Sequence, residues 1–361
     1  MRFHVLAMPH TQVTRDFAVD AFTEKVRRFS TMMHSRGHEV FLYAGEKSEA
    51  GSTEHIVCIS EQERLEAVGD QHYINASYDS NSKHWKTFNS KAIEEITKRI
   101  QPKDFICLTS GVAQKSVADA FPDHMSVEYS VGYPGSFSKY RVFESYAWMH
   151  SIYAAHKDPA DLKGNFFDTV IHGFLEPEMF PFVSDPSDYY LYIGRVTEMK
   201  GVAIASEVCE ALGKKLIIAG PGTPPKYGEF VGPVDTVKRA ELMGNATAVF
   251  APTVYVEPFG YIVIESQMCG TPTITTDWGA FVETNINGVT GYRARMFEDF
   301  LVATEDVKSL DRAKIRNHAL ENYSVDVAVL KYEKYFHNLL KLWDRGWYEI
   351  SPEVKRRFDV E

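Results

Sequence analysis

Asp-x-Asp occurs nowhere in the chain, so the paired carboxylates that commonly hold a divalent ion against a phosphate are missing. The thirteen histidines form neither His-Glu-x-x-His nor a zinc-ligand spacing, and no metal is expected. Cysteine is scarce. Cys58, Cys107, Cys209 and Cys269 stand far apart, each in or beside an apolar segment, with no Cys-x-x-Cys; they read as reduced core residues of a cytoplasmic protein. No apolar run approaches the ~18 residues of a membrane span. Met1-Arg2-Phe3 leads directly into a strand-like segment, where a secretory signal would need an apolar stretch. The absence of a Gly-x-Ser-x-Gly elbow speaks against a serine hydrolase. Low-complexity tracts and short repeats are lacking as well, which excludes a disordered chain, a solenoid and a coiled coil.

A basic excess is also missing. Net charge is −10, with 19 basic and 24 acidic residues up to Phe182 and 20 and 25 beyond it. Nucleic acid or an anionic membrane is therefore a disfavoured partner. Lys25, Arg27, Arg28 and Arg36 form the densest basic group, and read as a solvated helix face.

With 361 residues and 44% hydrophobic content, the chain exceeds one core and suits two globular domains. Short β-branched or aromatic runs alternate with helical stretches, the pattern of parallel sheets covered by helices. Strands are expected at residues 3–8, 39–44, 55–59, 105–109, 126–129 and 169–172, then at 189–193, 215–219, 229–232, 247–251, 271–275 and 291–293. Phe17, Phe22, Val26, Phe29 and Met33 fall at helical spacing before Gly37, which predicts a helix over 17–36. Pro177, Pro181 and Pro186 among Ser184, Asp185, Ser187 and Asp188 make a polar hinge. The expected architecture is α/β: two doubly wound, Rossmann-like domains, 1–182 and 183–339, facing across a cleft. Leu330, Tyr332, Phe336, Leu339, Leu340 and Trp343 give residues 329–347 an apolar helical stripe that could cross back onto the first domain, with about 340–361 expected to pack there as C-terminal helix.

Glu257-Pro-Phe-Gly-Tyr-Ile-Val-Ile-Glu265 carries the most chemical information. Gly260 permits close backbone approach, and a helix from Tyr261 would present free N–H groups to phosphate. One carboxylate lies before that helix and the other inside it, so each can accept from different hydroxyls of one ligand. Phe259, Gly260 and Tyr261 are expected to line the substrate. Gly194-Arg195-Val-Thr-Glu-Met-Lys200-Gly201 sends a guanidinium and an ammonium from a strand end, a pairing suited to a diphosphate. Gly220-Pro-Gly222 offers backbone to the same cleft, and Val231 stands where a nucleobase wall or a plain turn would be. Neither a dinucleotide fingerprint nor a P-loop is completed.

Arg195 with Lys200, Glu257-Pro-Phe-Gly…Glu265, Gly270-Thr-Pro-Thr-Ile and Asn287-Gly-Val-Thr-Gly291-Tyr resemble the donor domain of family 4 retaining glycosyltransferases of the GT-B fold. Val170-Ile-His-Gly-Phe-Leu-Glu-Pro-Glu-Met-Phe180 is similar to that family's connector, so the specific match covers about residues 170–300. The resemblance implies that Arg195 and Lys200 hold the donor diphosphate, that Glu257 meets the sugar and that Glu265 accepts from the ribose. The sequence departs from the family at Pro9-His10-Thr11-Gln12-Val13-Thr14, where a glycine pair is usual, at Ser126–Tyr133, where many members carry a histidine, and at Gly279-Ala280 after Trp278.

A hexosyltransferase acting on a nucleotide sugar, of the UDP-sugar type, and on a carbohydrate or other hydroxyl acceptor is the expected activity, with no cofactor. Arg195, Lys200, Glu257 and His10 are the catalytic candidates; Glu128 and Tyr133 join the substrate-binding set, and His150 is a weaker choice. Glu144 and Trp148 read as helix surface and core. Other readings stay open: an epimerase or phosphorylase of the same architecture, a binding-only nucleotide-sugar protein, and a GT-B enzyme that glycosylates hydroxymethylated bases in DNA.

Overall fold

The structure is a computed structural model, and it describes residues 1–70, 72–73, 76, 78–155 and 163–358. Two compact units make up the chain. The first comprises Met1–Tyr129, Phe137–Tyr140 and Val329–Glu361, and the second Ser130–Ser136 and Arg141–Ala328.

The strands are β1 (Arg2–Leu6), β2 (Glu39–Gly45), β3 (Glu54–Ile59), β4 (Phe105–Leu108), β5 (Met125–Val131), β6 (Tyr140–Phe143) and β7 (Asp168–Val170), followed by β8 (Tyr190–Ile193), β9 (Leu216–Ala219), β10 (Glu229–Gly232), β11 (Ala248–Ala251), β12 (Thr273–Thr276) and β13 (Gly291–Ala294). They form a seven-stranded sheet in the order β3-β2-β1-β4-β5-β6-β7 and a six-stranded sheet in the order β10-β9-β8-β11-β12-β13. β1 pairs in parallel with β2 and β4, and β8 with β9 and β11. Strand order therefore reverses beside β1 and beside β8, and such switch points open a crevice at the carboxyl ends of the strands. Every residue of β8, β9 and β11 is buried, as parallel strands covered on both faces require.

β6 lies beyond the expected strands. Its Val142 and Phe143 are buried, and Arg141 pairs with Asp168 of β7 at 2.7 Å, so a strand of four residues hides behind one charged side chain.

The helices are α1 (Ala21–Ser35), α2 (Glu61–Val68), α3 (Lys83–Thr97), α4 (Lys115–Ala120), α5 (Tyr146–Ala154), α6 (Val202–Ala211), α7 (Thr236–Asn245), α8 (Tyr261–Met268), α9 (Phe281–Thr284), α10 (Phe297–Asp306), α11 (Arg312–Tyr323), α12 (Val325–Arg345) and α13 (Pro352–Phe358). α1 starts later than its apolar spacing predicts. Asp20 is its N-cap, accepting from the Thr23 N–H at 2.7 Å, and Arg15–Phe17 form a separate turn. The expected solvated face of α1 is overturned: Lys25, Arg27 and Arg28 are buried, and Glu24, itself buried, meets Arg27 at 2.8 Å and Arg28 at 3.1 Å. Arg36 instead pairs with Glu333 at 3.1 Å.

Within the first unit α12 packs Phe336 against Phe3 and Phe105, and the Tyr332 hydroxyl donates to the Tyr129 carbonyl at 2.7 Å. Leu330, expected on the apolar stripe, is 57% exposed. A break separates α12 from α13, and residues 359–361 of the expected terminal helix lie outside the described residues. No helix among the described residues is long and apolar enough to cross a membrane.

In the second unit Arg312 ties several turns together. Its guanidinium donates to the carbonyls of Val183, Ala246 and Gly244 at 2.7, 3.0 and 2.6 Å and to Thr271 Oγ1 at 2.5 Å. Burial lowers its pKa to about 10. Arg312→Ala leaves these acceptors unpaired and is expected to destabilise the unit by about 3 kcal/mol or more, with Arg312→Lys recovering only part. Urea unfolding followed by tryptophan fluorescence checks this.

Candidate functional site

β8 ends at Ile193; the N–H of Gly194, the next residue, reaches the Ala219 carbonyl at 3.0 Å, and the Val196 N–H reaches the Pro221 carbonyl at 2.8 Å. The loops after β8 and β9 thus run side by side. A Cβ at Gly220 would lie 1.9 Å from the Gly194 carbonyl oxygen, so Gly220 serves this close approach and is not part of the cavity lining. Arg195 is exposed, and its guanidinium has no hydrogen-bond partner among the described residues; its carbonyl accepts from the Tyr192 hydroxyl at 2.7 Å and the Thr197 N–H at 3.0 Å. Glu198–Lys200 form a short turn before α6. Lys200 Nζ meets Glu257 Oε2 at 2.6 Å and stands 4.9 Å over the Tyr255 ring. Burial pushes the Lys200 ammonium downward, but Glu257 and Tyr255 outweigh it and leave its pKa above the ordinary lysine value.

Glu257 is 9% exposed and is held from behind. Its carbonyl accepts the Ala280 N–H at 3.0 Å, and the Pro258 carbonyl accepts from Ser145 Oγ at 2.6 Å. Gly260 has φ +77 and a Cβ there would meet the Phe281 ring at 2.6 Å, which gives the position to glycine. It begins α8 without a side-chain cap, so the first N–H groups of α8 have no helical acceptor. Phe259, expected against the substrate, is instead core: it is 2% exposed and packs on Tyr261 and His172. Tyr261 donates its hydroxyl to Glu144 at 2.9 Å.

A cavity of about 170 Å³ is lined by Gly194, Lys200, Glu257, Gly260 and Tyr261 together with Arg239 of α7. Arg239 was not singled out from sequence. It donates to Glu265, which is 7% exposed, so both carboxylates of the nine-residue motif are paired to cations at or beside one cavity. Lys238-Arg239 follows no motif, and only the fold brings α7 against α8. Among the described residues no three His, Cys, Asp or Glu side chains gather as metal ligands would. Val231 lies on β10, 41% exposed beside Phe230 at 38%, outside the cavity lining.

The remaining expected site residues are not among those that line this cavity. His10 is 1% exposed in the first unit, with Tyr78 and Trp85 around its ring at 5.1 and 6.3 Å and Nδ1 without a partner. Glu128 is fully buried and accepts the N–H groups of Phe137 and Ser138 at 2.9 and 2.7 Å, holding a turn. Tyr133 is buried, and His150 is exposed on α5. Glu144 is not helix surface but a buried acceptor after β6, shared by Tyr261 and Ser130; Trp148 is half-buried.

A further pair was not expected. His172 Nε2 lies 3.1 Å from Glu283, which also accepts the N–H groups of Tyr146 and Ala147 at 2.9 and 2.8 Å. Burial raises the Glu283 carboxyl, but His172 and these N–H groups hold its pKa below the usual value.

Residues 187–317 match the family described as glycosyl transferases group 1. The chain resembles that family. It is 32% identical over 146 residues to glycogen synthase of Mycobacterium tuberculosis, covering 34% of this chain and 35% of that protein. It is 28% identical over 194 residues to an uncharacterised glycosyltransferase of Methanocaldococcus jannaschii, covering 48% of each. The chain thus spans about a third to a half of the length of these curated relatives. Its fold matches the glycosyltransferase AviGT4 of avilamycin A biosynthesis with a TM-score of 0.65 at 19% identity, over 94% of this chain and 98% of that one. Anabaena HepE in complex with UDP-glucose gives a TM-score of 0.63 at 13% identity, over 94% and 100%. The fold is GT-B, as the motifs implied.

Burial lowers the pKa of His10 from 6.5 to about 4, against the opposing pull of Asp20. The unfolded chain therefore binds more protons in that window, and the native state loses roughly 3 kcal/mol from this group as pH falls from about 6.5 toward 4. His10→Gln is expected to flatten the acid limb of a stability-versus-pH curve by that amount, measured by urea midpoints. A residual slope from His4, also lowered by burial, remains.

Proposed function

We propose that this chain transfers a sugar from a nucleoside-diphosphate sugar to a hydroxyl acceptor, with retention of configuration and without a metal ion. One observation carries the reading: Lys200, Arg239 and Glu257 line one cavity with the uncapped start of α8, and Glu265 is paired to Arg239 there. The cavity lies at the carboxyl ends of β8 and β11, the switch point of the second sheet. HepE, a fold neighbour, is solved with UDP-glucose, which supports a UDP-sugar as donor.

A diphosphate in this cavity meets cations and N–H groups where a divalent ion would otherwise be needed. Lys200 turns donors to Glu257 and toward Tyr255 and has a further one for phosphate oxygen. Arg195, exposed on the loop after β8 and outside the cavity lining, would add a planar fork that has no hydrogen-bond partner among the described residues. Glu257 retains lone pairs for the sugar's hydroxyls, so one ion pair bridges the two sides of the bond that breaks. As that C1–O bond opens, its electrons pass to the diphosphate, and the three positive elements stabilise charge that appears only then. The acceptor oxygen bonds C1 from the leaving-group side, and its proton passes to the departing phosphate oxygen. No protein base is needed, in keeping with the buried His10.

Arg195→Ala is the cleanest test, because that side chain is exposed and makes no hydrogen bond or ion pair among the described residues. It is expected to cut turnover by about 10²-fold with an unchanged melting temperature, and Lys200→Ala and Glu257→Ala by about 10²–10³-fold. The measurement is release of nucleoside diphosphate from a panel of sugar donors with sugar acceptors. Near-normal transfer by all three variants overturns the reading.

A further inference from the structure

The second unit has another, larger cavity. It measures about 580 Å³ against about 170 Å³ for the cavity at Lys200 and Glu257, and the two share no lining residue; its size is that of small-molecule sites. Thr247 and Pro272, which line it, immediately precede β11 and β12, and Asp188 stands two residues before β8. The larger cavity therefore opens at the amino ends of strands whose carboxyl ends carry the smaller one. Four residues of β8, at about 3.3 Å each, put roughly 13 Å of strand between them.

Phe182 supplies an aromatic wall. Gly270, at φ +79, seats part of that ring on bare backbone: a Cβ there would meet the ring at 2.6 Å and the Arg312 carbonyl oxygen at 2.9 Å, so the position belongs to glycine. The ring still leaves 42% of Phe182 exposed, and Pro186, Val307 and Leu310 add further apolar lining.

The charged groups of the lining are answered from within the unit, with one exception. Arg312 spends its guanidinium on carbonyls and Thr271, and Lys308 Nζ lies 2.6 Å from Glu305. Asp311 takes the N–H groups of Ala313 and Lys314 at 2.9 and 3.2 Å, which closes the start of α11 to an anion. Asp188 is the exception. Its carboxylate makes no hydrogen bond or ion pair among the described residues, and the hydroxyls of Ser184 and Ser187 are likewise open. Lys308 and Arg312 against Asp188 and Asp311 leave the lining without net charge, so a phosphate-bearing ligand gains little here.

What stays open is a carboxylate acceptor and two hydroxyls beside an aromatic wall. A sugar matches all three, because its hydroxyls donate to the carboxylate and exchange hydrogen bonds with serines, while the C–H face of its ring lies against an aromatic side chain. We propose that this cavity binds a neutral oligosaccharide, with one sugar ring on Phe182 and its hydroxyls on Asp188, Ser184 and Ser187. Such a site tethers a glycan to the enzyme and raises its effective concentration.

The test is calorimetric titration of the full chain with maltotriose, cellotriose and triacetylchitotriose. At least one of the three is expected to bind, and Phe182→Ala and Asp188→Ala should each weaken it tenfold or more. Saturating UDP should leave that affinity unchanged, since the nucleotide belongs to the other cavity. Melting temperatures establish that the variants are folded; Asp188 is exposed, so its variant keeps the test decisive if Phe182→Ala is unstable. Binding of none of the three sugars, binding that both variants retain, or competition by UDP overturns the proposal. The nucleotide-sugar reading is untouched by any of these outcomes, because it rests on the residues of the smaller cavity.

Discussion

The ion pair between Lys200 and Glu257, 2.6 Å long and largely screened from solvent, is the constraint around which the second unit is arranged. Two charges taken out of water cost more than their mutual attraction returns unless their surroundings are tightly arranged. The surroundings supply that arrangement. Gly201 lets the loop carrying Lys200 lie against the Pro252 carbonyl, where a Cβ would come within 2.0 Å, and Gly279 lets the chain after β12 press on the backbone of Glu257. Apolar strands on either side then hold both loops at the ends of β8 and β11. A pair of this kind adds little stability by itself.

The connector and α9 reinforce the same loop from below. Gly173 sits where a Cβ would meet the rings of Phe259 and Tyr261, and Phe259 stacks near His172. Glu283 gathers His172 and the first N–H groups of α5. A carboxylate at a helix start is favoured by the unpaired amides there. Phe259 is therefore part of the support rather than of the surface that a ligand touches. The Glu-Pro-Phe-Gly motif divides its labour: the glutamate faces the cavity, the aromatic ring faces the core, and the glycine makes the reversal between them.

The first unit follows another logic. Several of its charged and polar side chains turn inward. His4 bridges Tyr43 and Asp104, Glu24 neutralises two arginines on its own helix, and His10 is walled by aromatic rings. The bulk negative charge of the chain is silent about this, because net charge records neither partners nor burial. Lys25, Arg27 and Arg28 read as solvent-facing for that reason, and only the packing of α1 reversed the reading.

Periodicity in the chain determined nearly every strand, since a parallel sheet buried on both faces needs short continuous apolar runs, and β8, β9 and β11 are such runs. It also determined that Glu257 precedes a helix and Glu265 lies within it, because Gly260 and the apolar run after it leave little alternative. β6 escaped because Arg141 interrupts its four residues. Tertiary structure alone decided which cations answer the two glutamates. Lys200 and Glu257 are 57 positions apart and Arg239 and Glu265 are 26 apart, and no local rule links residues at such distances. The switch of strand order beside β8 and the packing of α7 on α8 bring them together, so the composition of the cavity is a property of topology.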